Sequence, residues 1–144
     1  MAKRLLLDVN VWIALFDEAH SHHALAEQLF NRPKLKIATC PIIENGVIRV
    51  LNLPAYTKFG PIGFDTVAKQ LARVCASVDH EFWPDDTSLR HAPINWSRVL
   101  GHWQITDVYL LALAVSHGGC FSSFDQRIAL SAVKGAEAGH LLLL

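Results

Sequence analysis

The chain has 144 residues and a mass of 16.0 kDa, a length that fits one compact domain and leaves little room for a second. Hydrophobic residues make up 51%, charged residues 18%, and the mean hydropathy is +0.25, which excludes a disordered or fibrous chain and calls for a well-filled core. Thirteen Lys and Arg balance thirteen Asp and Glu, so the molecule lacks the overall positive field of most nucleic-acid binders, and any phosphate ligand must be attracted locally.

Apolar runs such as 108–115 are well short of a membrane span, and the opening Met-Ala-Lys-Arg-Leu-Leu-Leu-Asp meets a carboxylate too early for a signal peptide, so a cytoplasmic protein without membrane contact is expected. Cys40, Cys75 and Cys120 are odd in number and widely spaced, and read as buried thiols rather than a disulfide or zinc framework.

In chain order, 4–8 is an apolar run ending in a carboxylate and predicts a strand buried on both faces. Residues 11–16 and 22–30 carry helical spacing, as two short helices or one bent one ending near Pro33. A second strand follows at 35–39. Pro41 then sits at a first helical turn, and an apolar stripe from Ile42 to Leu51 runs down to Pro54. Residues 56–63 predict a loop, 64–78 a helix, and 81–84 a weakly marked strand. The segment 85–93 reads as polar surface and 96–103 as a short helix. The clearest element is a helix over 107–117, with Thr106 as N-cap and Gly118-Gly119 as its stop. A strand at 120–124, a short helix at 126–133 and a last strand at 140–144 complete the chain. This alternation predicts a three-layer α/β sandwich around a mainly parallel central sheet, formed by residues 1–144 as one domain.

In right-handed βαβ units, the C-terminal ends of the strands and the N-terminal ends of the following helices share one edge of the sheet. Asp8 closes the first strand, Glu44 lies in the opening turns of the third helix, Asp107 begins the long helix and Asp125 closes the strand after it. All four are expected to converge. Carboxylates that close cannot all stay ionised without a cation, and a hard divalent ion such as Mg²⁺ or Mn²⁺ takes oxygen ligands, keeps waters and binds phosphate. The expected chemistry is metal-dependent hydrolysis of a nucleic-acid backbone. Taken singly, Asp107 is equally well explained as a first-turn acid favoured by the helix dipole, and Asp125 as the N-cap of the next helix. A solvated helix face is a fair alternative for Glu44. Asp8, set between Leu5-Leu6-Leu7 and Val9, Val11 and Trp12, is harder to explain structurally.

Asn10, Thr106 and Ser123 flank the acids as orienting polar groups. Arg49, Arg98 and Arg127, with His102, are candidates for phosphate contact, and Trp96 or Trp103 for stacking on a base, against the commoner buried fate of tryptophan. The cluster His20, His22 and His23 lacks flanking ligands at a defined spacing and reads as a solvated helix start.

Leu-Leu-Leu-Asp8-Val-Asn10, Glu44 within a helix, Ile-Thr106-Asp107-Val-Tyr-Leu-Leu-Ala-Leu-Ala and Ser123-Phe-Asp125, in that order, resemble the PIN-domain ribonucleases, in particular the VapC-type toxins of prokaryotic toxin–antitoxin pairs. The resemblance spans essentially the whole chain, and the Asp107 block is its most specific part. It implies a Mg²⁺- or Mn²⁺-dependent endoribonuclease with Asp8, Glu44, Asp107 and Asp125 as its acidic cluster. It further implies a homodimer silenced by a cognate VapB-type antitoxin, a small DNA-binding protein whose C-terminal segment covers the crevice. Many PIN sequences carry another acid two residues after the last, where this chain has Arg127. The implied site therefore holds one ion chiefly through Asp8 and Asp107, with Glu44 and Asp125 acting through water. The competing reading is a PIN-fold module that binds RNA or protein without cutting. A phospho-acceptor receiver ranks last, because the chain lacks an acidic pair near the first strand and a lysine near the last.

Overall fold

The computed structural model describes residues 2–57, 60–91 and 93–144. Five short strands, β1 (Leu5–Leu7), β2 (Lys36–Thr39), β3 (Asp79–Phe82), β4 (Cys120–Ser123) and β5 (Leu141–Leu143), pair in parallel throughout in the order β3-β2-β1-β4-β5. Leu6 and Leu7 of the central strand are fully buried, as an apolar run between two neighbours requires. Leu5 pairs with Ile37 on one side and with Cys120 on the other.

Four helices, α1 (Val9–Phe16), α2 (His23–Phe30), α3 (Pro41–Val50) and α4 (Phe64–Ser77), accompany the passage from β1 through β2 to β3, with α1 packed on both α2 and α3, and α3 on α4. The chain then crosses back to the far side of β1, and a crossover of the same hand in the opposite direction places α5 (Ile105–Ser116) on the other face, against β1 and β4. Seven consecutive residues of α5, Val108 to Ala114, are buried. Its expected stop is present: Gly118 adopts φ +67° just beyond the helix, a conformation open to glycine at little cost. The result is a three-layer α/β sandwich. Because the strand order reverses at β1, the C-terminal ends of β1 and β4 flank a topological switch point, where ligands of open α/β sheets bind.

Several expectations need correction. The first strand stops at Leu7, and Asp8 is the N-cap of α1, its Oδ1 accepting from Val9 N at 2.8 Å. Thr106 is not an N-cap: a 3₁₀ turn at His102–Gln104 runs directly into α5, Gln104 holds the cap position without a side-chain bond, and Thr106 lies exposed in the first turn. The helix expected over 96–103 is two separate 3₁₀ turns, Trp96–Arg98 and His102–Gln104. The helix expected over 126–133 is reduced to a 3₁₀ turn at Leu130–Ala132 with Ala129 at its cap position, so Asp125 has no N-cap role. Asp125 Oδ1 accepts instead from Arg127 N, and the following backbone pairs with 93–95 through Asn95 N to Ala132 O (2.9 Å) and Lys134 N to Pro93 O (2.7 Å). These bonds give the backbone an alternative to the helix. Strand β3 begins two residues earlier than expected. In the predicted loop 56–63, residues 58–59 lie outside the described residues, as does residue 92 of the polar segment 85–93. No helix among the described residues is long and apolar enough to cross a membrane.

Candidate active site

Asp8 is the most buried of the acids, 9% exposed. Its backbone is fixed by Asp8 N donating to Ser122 O at 2.9 Å, and its Oδ2 accepts from Ser123 Oγ at 2.7 Å. Ser123 is fully buried and serves three groups at once, since its Oγ also accepts from Asn10 Nδ2 (3.2 Å) and from Asp125 N (3.0 Å). The hydroxyl thereby ties the end of β1, the first turn of α1 and the turn after β4 together. Burial pushes the Asp8 carboxyl above its ordinary range, the Ser123 and Val9 hydrogen bonds pull it back, and the charge of Asp125 raises it further.

Asp107 is half-buried in the first turn of α5, where the helix dipole favours an acid. Burial dominates nonetheless, and together with the charges of Asp8 and Asp125 it pushes this carboxyl up to about 7, against a partial offset from Arg127. Asp125 behaves oppositely. Arg127 Nε and Nη2 donate to its two oxygens at 3.1 Å each, and these bonds hold its carboxyl below the usual range. The Arg127 side chain is 71% exposed, so the pair is solvated and contributes little to stability. Trp103, Gln104, Asp107, Asp125, Arg127 and Ile128 line one crevice. Asp8, Asp107 and Asp125 thus feel one another's charge at the switch point.

Glu44 stands apart from this group. Thr39 Oγ1 donates to its Oε2 at 3.1 Å, and because a hydroxyl has one hydrogen, His80 Nε2 must be the donor in its 2.7 Å bond to the same Oγ1. Burial pushes the His80 imidazole below its ordinary value, and the Glu44 charge reaches His80 and Cys75 rather than the three aspartates. Thr39 and His80 escaped the sequence reading. With the strand placed at 81–84, His80 fell outside the sheet, although an imidazole just before it was the available signal.

Of the flanking residues, Asn10 and Ser123 adjoin Asp8, and the buried Asn10 Oδ1 has no protein partner. Thr106 lines a neighbouring groove with Val9, Asn45 and exposed Arg49. Arg98 is exposed at the end of its 3₁₀ turn. His22 stacks on Phe124 at 4.5 Å, and His23 Nδ1 meets Ala14 O at 2.8 Å, so these imidazoles have structural partners. Cys40 and Cys120 are buried and Cys75 is half-buried; all three are free thiols.

The donor set around Asp8 and Asp107 is all oxygen, which suits a hard cation. Among the described residues no three His, Cys, Asp or Glu side chains form a ready-made cage. Mg²⁺ does not need one, because it is commonly held by one or two carboxylates, waters and substrate phosphate. Two carboxyls whose ionisation is opposed by burial and by neighbouring acids, with an unpartnered amide oxygen next to Asp8, fit such an ion.

The Ser123 hub gives a direct expectation. Ser123→Ala leaves the Asn10 amide and the Asp125 N–H without their acceptor, so a loss of about 1–3 kcal/mol is expected in urea unfolding. The largest change in activity should follow from disordering of Asp8 rather than from loss of the fold.

A parallel α/β sandwich with aspartates from the ends of β1 and β4 and the start of α5 meeting at its switch point is the architecture of one protein class. The chain belongs to the PIN domain family, whose model matches residues 5–134. Among its relatives, Ribonuclease VapC44 of Mycobacterium tuberculosis is 43% identical over 143 residues, covering 98% of this chain and 99% of that protein. Ribonuclease VapC39 of the same organism is 37% identical over 132 residues, covering 90% and 94%. Ribonuclease VapC29 is 37% identical over 125 residues, covering 87% and 88%.

Proposed function

We propose that this chain is an endoribonuclease that hydrolyses RNA phosphodiester bonds with a divalent cation, Mg²⁺ or Mn²⁺, and that it is the toxin of a type II toxin–antitoxin pair in the cytoplasm. The observation that carries the reading is the convergence of Asp8, Asp107 and Asp125, in a chain whose relatives, matched over nearly their full length, are named ribonucleases. In this reading Asp8 and Asp107 hold the ion, while Asp125 and Glu44 act through water. The bound cation supplies charge stabilisation at the phosphodiester and a more acidic attacking water.

The remaining work belongs to the protein's own groups. Ser123 keeps Asp8 pointed at the crevice, with Asn10 behind it. Arg127, exposed at the crevice and already bonding an anionic carboxylate, is the group placed to meet substrate phosphate. Arg49 extends the cationic surface along the adjoining groove, and Arg98 lies further out.

The chain acts as a homodimer, and a VapB-type antitoxin silences it by covering the crevice. Exposed Leu53 and Phe64 line a shallow groove with Ile48 that offers apolar surface to a second copy. Light scattering should return twice the 16.0 kDa chain mass.

The nuclease reading is tested by incubating the purified protein with end-labelled RNA in Mg²⁺ or Mn²⁺, beside an Asp107→Asn variant. Cleavage by the parent and none by the variant is expected. RNA that is bound yet left intact with both ions would make the chain a non-cleaving module.

A further inference from the structure

We propose that Trp103 is a stacking platform for an unpaired nucleobase of the RNA beside the scissile phosphate. The proposal rests on the nuclease reading and adds to it a substrate-positioning residue.

Two tryptophans are buried, Trp12 at 0% and Trp83 at 2% exposed, as is usual for the residue. Trp103 is 55% exposed, yet it lines the crevice that holds Asp107, Asp125 and Arg127. Its surroundings fix it there. Residue 101 is glycine, and a Cβ at that position would overlap the six-membered ring of Trp103, so the indole lies over the bare Gly101 backbone. The His102 ring meets it edge-on, with centroids 5.6 Å apart at 80°. Gln104 closes the turn, its Oε1 accepting from Leu100 N at 2.6 Å. A large aromatic surface is thus held at the mouth of the crevice instead of folding into the core.

The chemistry of the crevice selects the occupant. The lining joins apolar surface, from the indole, Val108, Ile128, Ala129 and Ala132, to the charges of Asp107, Asp125 and Arg127, so an occupant has to offer both an apolar face and a group that pairs with charge. A nucleotide meets both demands. Its base has a π-face for the indole, and its phosphate faces Arg127 and the cation held by the acids. Bases in A-form duplexes are stacked and hard to reach, so the base must come from an unpaired segment. Trp96, about as exposed at 49%, is not among the residues that line this crevice, which makes it the natural control.

The test compares Trp103→Ala, Trp103→Phe, Gly101→Ala and Trp96→Ala on a single-stranded RNA cut by the parent protein. Equilibrium binding of the same RNA is measured in EDTA by tryptophan quenching and by anisotropy of a labelled strand. Loss of one stacked base should raise KM and weaken binding roughly tenfold to a hundredfold for Trp103→Ala, with kcat within about threefold. Trp103→Phe should recover most of the loss, Gly101→Ala should reproduce part of it, and Trp96→Ala should match the parent. An RNA carrying one abasic residue next to the cleavage site should erase the difference between parent and Trp103→Ala. Equal KM and equal affinity for Trp103→Ala and parent overturn the proposal. So does a Trp103→Ala protein with unchanged KM whose dimer or antitoxin complex dissociates, since the indole would then be a protein-docking residue. Trp103-dependent binding without cleavage by the parent would instead remove the nuclease reading and leave the stacking site in place.

Discussion

Asp8→Asn should abolish RNA cleavage, lowering kcat by at least about a hundredfold, while leaving the fold intact. The two halves of that expectation have separate physical grounds. Asparagine serves as an N-cap as well as aspartate does, so its single amide oxygen can keep the cap on Val9 N, while the bond from Ser123 Oγ to the second carboxylate oxygen is lost. The negative charge disappears with it. That charge is costly in the metal-free protein, because burial and Asp125 both oppose ionisation of Asp8. Removal of that cost offsets the lost Ser123 bond, so the midpoint of thermal unfolding at pH 7.5 should stay within a few degrees of the parent even as activity is lost. Asp107→Asn, at a half-buried position, should behave the same way and guards against a local packing defect at Asp8. Cleavage retained within a few-fold by both variants would remove these carboxylates from the chemistry. A variant that loses activity and melts far below the parent would mean that Asp8 is a structural residue.

Stability should also depend on pH in a direction set by Asp107. Its carboxyl is held near 7 in the folded chain against an ordinary value of 3.8. Between about pH 4 and 7 the folded state therefore keeps a proton that the unfolded state has released. More protons on the folded state means that stability falls as pH rises through this window, and Asp8 adds to the same trend. Asp125, shifted the other way, exerts its effect only below its ordinary range. Allowing for solvent at a half-buried group, the change is on the order of 1–2 kcal/mol, or about 3–7 °C for a chain of this length. His80, held below its ordinary value by burial, and His23, held above it by its bond to Ala14 O, also change proton affinity on folding, so the informative quantity is the difference between parent and Asp107→Asn across pH 5–8. Mg²⁺ or Mn²⁺ should reverse the trend: it binds ionised carboxylates and stabilises the folded state at pH 8, whereas protons compete with it at pH 5. Calorimetry with and without the ions reads both effects. A parent-minus-variant difference that stays flat with pH, or metal stabilisation equal at pH 5 and 8, would contradict the arrangement.

The parallel sheet and α5 were legible because their signals are strong and local. Leu5-Leu6-Leu7 is an uninterrupted apolar run, and α5 is an apolar helix closed by Gly118. Asp8 was legible for the same reason, since a carboxylate at the end of such a run stands out. Edge strand β3, Asp-His-Glu-Phe with only His80 better covered than the rest, carries no hydrophobic run and was placed late. That displacement hid the Thr39–His80 pair that holds Glu44 in a hydrogen-bond network. The 3₁₀ turns at 96–104 and the bridge between Ile94 and Val133 were invisible for a different reason. They are set by pairing between segments far apart in sequence, which no local pattern encodes. Composition alone also could not separate Trp96 from Trp103, because only the path of the chain brings one of them to the crevice.

The bond from Ser123 to Asp8 spans 115 positions of the chain. During synthesis Asp8 leaves the ribosome well before α5, β4 and the turn bearing Asp125, which emerge about 100 residues later. Translation can therefore yield no partly made molecule with a working centre. This long-range closure keeps the centre unassembled until β4 and the turn bearing Asp125 have emerged and folded onto β1.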